Sequence, residues 1–146
     1  MRSIVLVSGC IAMWLLGVPA HAKELVVHMR NKGTEGAMVF EPSYVEAAIG
    51  DTVRFLPTDL GHNSEPIAGM MPTGVTLPSG KMNKEYAVKL TKSGLYGFKC
   101  LPHFGMGMVA LVKVGTPTAA EVASARTVKV PPVAAKRLQP MFDKIK

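Results

Sequence analysis

From Leu25 onward, short stretches of apolar residues, several alternating with polar ones, are separated by turn-forming residues. Leu25-Val26-Val27-His28-Met29 runs into Lys32-Gly33-Thr34-Glu35-Gly36, and Met38-Val39-Phe40 into Glu41-Pro42. Tyr44 to Ile49 ends at Gly50-Asp51, after which Val53 and Phe55 alternate with Thr52 and Arg54. Short segments of this kind, bounded by turn residues, predict the strands of a β-sandwich. From Asp59 to Gly80 the periodicity gives way to a long Gly- and Pro-rich stretch that carries His62. Loops of that length are either functional or poorly ordered.

Three later segments are in phase with one another. Tyr86, Val88 and Leu90 share a face of a strand that ends near Lys92-Ser93-Gly94. Tyr96, Phe98 and Cys100 share a face of the next, and Met108, Ala110, Val112 and Val114 a face of the last. Side chains two apart on a strand point the same way. Cys100 and Met108 therefore fall in step with core residues on either side of a tight connection. The pattern then changes period. Thr118-Ala119-Ala120-Glu121 is a capping box with Thr118 as N-cap, predicting a helix to about Ala125. Pro131-Pro132 interrupts the chain. Beyond it Leu138, Met141, Phe142 and Ile145 form the stripe of a terminal helix, with Pro140 as a candidate kink.

The first residues follow neither pattern. Arg2, a largely apolar run from Ile4 to Val18 and the small-residue end Pro19-Ala20-His21-Ala22 predict a secretory signal peptide over residues 1–22. The apolar run is too short for a comfortable membrane span. Val7-Ser8-Gly9-Cys10 resembles a lipid-attachment box, but the apolar run continues past Cys10, which argues against lipidation. Residues 23–146 are then one domain of about 124 residues, enough for its own core. Cleavage removes Cys10 and Trp14 and leaves Cys100 as the single thiol. In an oxidising compartment such a thiol needs protection or an occupation.

Charge narrows the partners. The 146-residue chain has 17 Lys+Arg against 10 Asp+Glu, a net +7 that falls by one when Arg2 leaves. The surplus is dispersed, without Arg-rich runs or aromatic interleaving, which speaks against nucleic acid. Complementary fields favour an acidic protein partner.

The candidate chemistry lies in Cys100-Leu101-Pro102-His103-Phe104-Gly105-Met106-Gly107-Met108 and, upstream, in Gly61-His62-Asn63. Two imidazoles, a thiolate and a weak thioether are the donor set of blue copper in electron-transfer proteins. Cys100 would bind as thiolate, His62 and His103 as neutral imidazoles, and Met108 as the long axial ligand. The backbone around Asn63 is the candidate hydrogen-bond donor to the cysteine sulfur. A Cys and a His three apart also suit half a zinc site, although such sites favour several thiolates or a second close pair. His28 reads as structural or surface, and Met106 as surface or a neighbour of the ligands. Lys32, Lys81, Lys99 and Lys113 are candidates for a ring of charge. No donors are left over for an open coordination position or a second copper, so an enzyme is not expected. The alternative function is a periplasmic copper-carrying chaperone, which would release its metal readily.

The Cys-x2-His-x4-Met spacing with a His-Asn pair upstream resembles the blue copper (cupredoxin) family. The likeness continues through Val27-His28-Met29, Asn31-Lys32-Gly33, the run from Glu35 to Pro42, Gly50-Asp51-Thr52-Val53 and the extension after the last strand. It covers nearly all of residues 23–146. The resemblance implies an all-β Greek-key cupredoxin sandwich of about eight strands with two short C-terminal α-helices. It implies one type 1 copper per chain, cycling between Cu(I) and Cu(II), in a soluble periplasmic monomer without membrane insertion. Electrons would pass to redox partners such as nitrite reductase or a c-type cytochrome, docking transiently near His103. It also suggests that Met38 packs against the His103 ring, with ordinary core packing as the equal alternative. Leu60 stands where the family often has lysine, and Phe104 where tyrosine is familiar.

Overall fold

The alternating segments become eight strands, followed by two helices. The computed structural model describes residues 22–145, so the expected leader lies, apart from Ala22, outside the described residues. The strands are β1 (Glu24–Gly33), β2 (Gly36–Glu41), β3 (Tyr44–Ala47), β4 (Thr52–Pro57), β5 (Glu65–Pro66), β6 (Tyr86–Lys89), β7 (Gly94–Lys99) and β8 (Val109–Val114). They form two four-stranded sheets, ordered β2-β1-β4-β6 and β3-β8-β7-β5. β1 runs parallel to β4 and β3 parallel to β8, while the other neighbours are antiparallel. The expected sandwich of eight strands with two C-terminal helices is present.

Two boundaries differ from the sequence reading. β1 continues to Gly33, because Gly33 pairs with Gly36 and only Thr34 and Glu35 make the turn. The Glu41 carboxylate accepts from the Thr34 backbone N–H and hydroxyl and closes that hairpin from the side. The stretch after Asp59 also contains a strand, β5. Its two residues pair with Lys99 and Phe98, and two residues are too few to show a period.

Between the sheets lies a core of Val27, Met29, Phe40, Val53, Phe55, Val88, Tyr96, Phe98, Ala110, Val112 and Val114, with Cys100 and Met108 among them. Val53, Phe55, Val88, Tyr96, Phe98, Cys100, Met108, Ala110, Val112 and Val114 are positions that the period-two pattern grouped on shared faces. The other face of the β7–β8 pair is buried as well. Leu95, Val109 and Leu111 pack with Ile67 and Met70 and with Ala125, Ala134, Leu138, Met141 and Phe142 of the two helices. α1 (Ala119–Arg126) begins with the expected capping box, Thr118 and Glu121 bonding to each other's backbone N–H. α2 (Pro132–Asp143) follows the break directly, with Pro131 as N-cap and Pro132 as its first residue. The missing N–H of Pro132 costs nothing in a first turn. Pro140 lies inside α2 on its exposed side, and Ile145 follows the helix yet still packs beneath it. No helix among the described residues is long and apolar enough to cross a membrane.

This framework delivers the donors to one pole of the sandwich. β7 ends one residue before Cys100 and β8 begins one residue after Met108. The loop between them is closed at its base by the Cys100 N–H donating to the Met108 carbonyl at 3.0 Å. Truncating the helix-to-sheet contact at Leu138, 2 % exposed, tests the packing. Leu138→Ala should lower the unfolding free energy by about 2–5 kcal/mol, read from urea melts. An unchanged midpoint would mean that α2 does not brace the sheet.

Candidate metal centre

Three side chains from two distant segments meet at this pole. The Nδ1 atoms of His62 and His103 are 3.2 Å apart. The Cys100 Sγ lies 3.7 Å from the first and 3.5 Å from the second. His62 and Cys100 are fully buried, whereas His103 is half-buried. Met108 is buried in the core beside Cys100, its N–H donating to the His103 carbonyl at 3.1 Å. Between His103 and Met108 the chain makes a 3-10 turn, Phe104–Met106, ended by Gly107 in the left-handed region at φ 85°.

Hydrogen bonds fix how each donor presents itself. The Asn31 side-chain oxygen accepts the Nε2–H of His62 at 2.9 Å. That contact places the ring proton on Nε2 and leaves the Nδ1 lone pair facing the other donors. Burial, with the neighbouring His103 second, holds the His62 pKa below its ordinary value, which favours the neutral ring. Burial pushes the Cys100 thiol up, against hydrogen bonds from the backbone N–H groups of Asn63 and His103 that favour the thiolate. The Asn63 donor is the one anticipated from the sequence. Its side chain also accepts from the Leu101 N–H at 2.8 Å and donates to the Gly80 carbonyl at 3.2 Å.

The arrangement fits a metal ion by distance and by chemistry. The point equidistant from the three atoms lies about 2 Å from each, close to a metal–imidazole bond length. Among the described residues no carboxylate and no second thiol joins the group. Two nitrogens and one sulfur, with a thioether buried alongside, match soft-sulfur copper coordination better than a structural zinc site. The four residues are arranged like a type 1 copper site.

Other candidates are sorted by position. His28 stays outside the cluster and bonds through Nδ1 to the Thr58 hydroxyl at 2.7 Å. Lys113 does not ring the site. It pairs in register with Leu95 on β7, while the site end of that pairing is Lys99 with Val109, and its ammonium meets Glu46. Lys99 is engaged with Glu65 at 3.2 Å and lies over the Phe104 ring at 4.9 Å. Lys32 and Lys81 are exposed and adjoin, in sequence, the Asn31 and Gly80 contacts. Met38 is half-buried against the inner core, with a left-handed backbone at φ 50°. Sequence reasoning missed the role of Asn31 on His62. It also missed Asn83, whose N–H donates to the His62 carbonyl and whose side-chain oxygen accepts the Gly61 N–H. Asn83 lies in a turn, where asparagine has a conformational reason to occur, and Asn31 lies near the end of β1; neither setting gives a sign of a ligand contact.

Comparison with known proteins gives the same answer. The profile for copper binding proteins of the plastocyanin/azurin family matches residues 27–115. Pseudoazurin of Paracoccus pantotrophus is 46% identical over 133 residues, covering 91% of each chain. The crystal structure of pseudoazurin from Methylobacterium extorquens AM1 superposes with a TM-score of 0.81 at 46% identity, over 84% of this chain and 99% of that one. Native pseudoazurin from Hyphomicrobium denitrificans gives a TM-score of 0.79 at 43% identity, over 84% and 98%. With the profile matched over residues 27–115 and 46% identity along 91% of the chain, it belongs to the plastocyanin/azurin family of copper-binding proteins, among the pseudoazurins.

Proposed function

We propose that His62, Cys100, His103 and Met108 are the ligands of one type 1 copper, and that the chain is a periplasmic electron shuttle. The observation that carries this reading is the buried triangle of two imidazole nitrogens and one thiol sulfur, with one imidazole reaching toward the surface. Bound copper supplies the one-electron Cu(I)/Cu(II) couple. The chain supplies the rest. Cys100 gives up its thiol proton on loading and holds its sulfur between two backbone N–H groups. Asn31 keeps the His62 proton on Nε2, away from the metal. His103, half-exposed, is the route by which an electron leaves or enters.

Around His103, Leu101 and Met106 are exposed apolar side chains on the same loop, and Leu60 is exposed beside Gly61-His62. A small apolar patch suits brief docking with an acidic redox protein, such as a nitrite reductase or a c-type cytochrome. Lys32, near the end of β1, and Lys81 and Lys84, either side of Asn83, are exposed and would raise the encounter rate. The protein acts as a monomer, and residues 1–22 direct export and are removed. Burial of His62, Cys100 and Met108 favours a retained cofactor over the labile cargo of a chaperone.

The copper-loaded, oxidised protein should show an intense visible band. Cys100→Ser should abolish it, and Met108→Gln should keep the colour and lower the reduction potential. A blue Cys100→Ser protein would overturn the ligand assignment. The association rate with an acidic partner, followed by stopped flow, should fall at least about tenfold from low salt to 0.5 M; a flat response removes electrostatic steering. Protein recovered from the periplasmic fraction should begin at Lys23, and an intact Met1 start would refute processing.

A further inference from the structure

We propose that Arg137 is a positioning residue for the proposed thioether ligand: it fixes the peptide that carries Met108 and so would help set the reduction potential. This rests on the reading of Met108 as a copper ligand. Arg137 sits on α2, yet its guanidinium reaches across to the pole. Nη1 donates to the Met38 carbonyl at 2.7 Å and to the Gly107 carbonyl at 3.1 Å, and Nη2 donates to the Ala37 carbonyl at 2.8 Å. One rigid fork therefore ties the terminal helix to β2 and to the ligand loop.

The Gly107 contact gives the fork a local effect on the ligand. The peptide joining Gly107 to Met108 is held at both ends, its carbonyl by Arg137 and its N–H by the His103 carbonyl at 3.1 Å. With both ends held, the plane from which the Met108 side chain departs has little freedom to turn. Gly107 itself is confined. A Cβ there would approach Val133 Cγ1 to 2.8 Å and Arg137 Cδ to 3.0 Å, at a φ of 85° that disfavours any side chain. The stem of Arg137 thus packs on the loop while its head bonds it. On the other side, the Met38 carbonyl that receives the shortest of the three bonds belongs to a residue in the left-handed region. That conformation costs a non-glycine residue about 1 kcal/mol or more and needs outside support. A lysine has the charge of Arg137 but a single donor head, and cannot span three carbonyls in this geometry.

The test uses the copper-loaded wild type, Arg137→Lys and Arg137→Gln, with visible spectrum and reduction potential as readouts. Amide exchange at Met108 in the copper-free proteins is the second measurement. Both variants should change the relative band intensities and shift the potential. Met108 exchange should accelerate at least about tenfold while the β7 and β8 amides keep their protection. If Arg137→Gln does not fold, Arg137→Lys decides. A wild-type spectrum and potential in Arg137→Lys would overturn the proposal, since charge alone would then suffice. Exchange accelerated evenly through the domain would overturn it too. A wild type that never turns blue would instead defeat the ligand reading, and the exchange result would stand apart from it.

Discussion

The centre depends on one lock between two segments 38 residues apart in the chain, and that lock is Asn63. Its side-chain oxygen holds the Leu101 N–H, its amide group holds the Gly80 carbonyl, and its backbone N–H points to the Cys100 sulfur. Asn83 completes the arrangement by holding the Gly61 N–H with its side-chain oxygen and the His62 carbonyl with its backbone N–H. Bringing two imidazoles and a thiol together away from water is unfavourable unless neighbours hold them. Here the holding is done by hydrogen bonds within the protein. A donor set held firmly changes little between oxidation states, which is what exchange of a single electron requires.

The sandwich explains why the loop from Cys100 to Met108 can be so firm. β7 and β8, the strands it joins, are covered on both faces, by the other sheet inside and by α1 and α2 outside. Strands covered on both faces keep their side chains packed and out of water. The helices are therefore part of the support for the loop. Arg137 extends that support from the packed layer to the loop itself, and Lys99 adds contact from β7 through the Phe104 ring.

Much of this was legible in the residues. The step of two from Tyr96 to Cys100, and again from Met108 to Val114, placed both sulfur atoms in the core, where they are found. Thr118 and Glu121 announced the start of α1. The double burial of β8 also had a signal, the unbroken Val109-Ala110-Leu111-Val112, since a strand with one wet face would alternate. What could not be read were contacts without a period. Asn31 reaches His62 across 31 residues, and Arg137 reaches Met38 across 99. Each depends on how the layers stack, which no local pattern encodes. Lys113 was misplaced for a related reason. Its distance from the site follows from strand register, and composition shows only that it is a lysine.

The distribution of charge bears on the proposed docking in a way that net charge does not. Lys113 is turned to Glu46 at the far end of the sheet, and Lys99 is committed to Glu65. Of the lysines that could face a partner at this pole, Lys32 follows Asn31 near the end of β1, while Lys81 and Lys84 lie either side of Asn83. Apolar Leu60 beside His62, with Leu101 and Met106 near His103, leaves the centre of the face uncharged. Charge confined to the rim steers encounter over distances near the Debye length and adds little once surfaces touch. An uncharged centre, in contrast, desolvates at low cost. On this division of labour the rim governs how often a partner arrives, and the apolar centre governs how near it comes to His103.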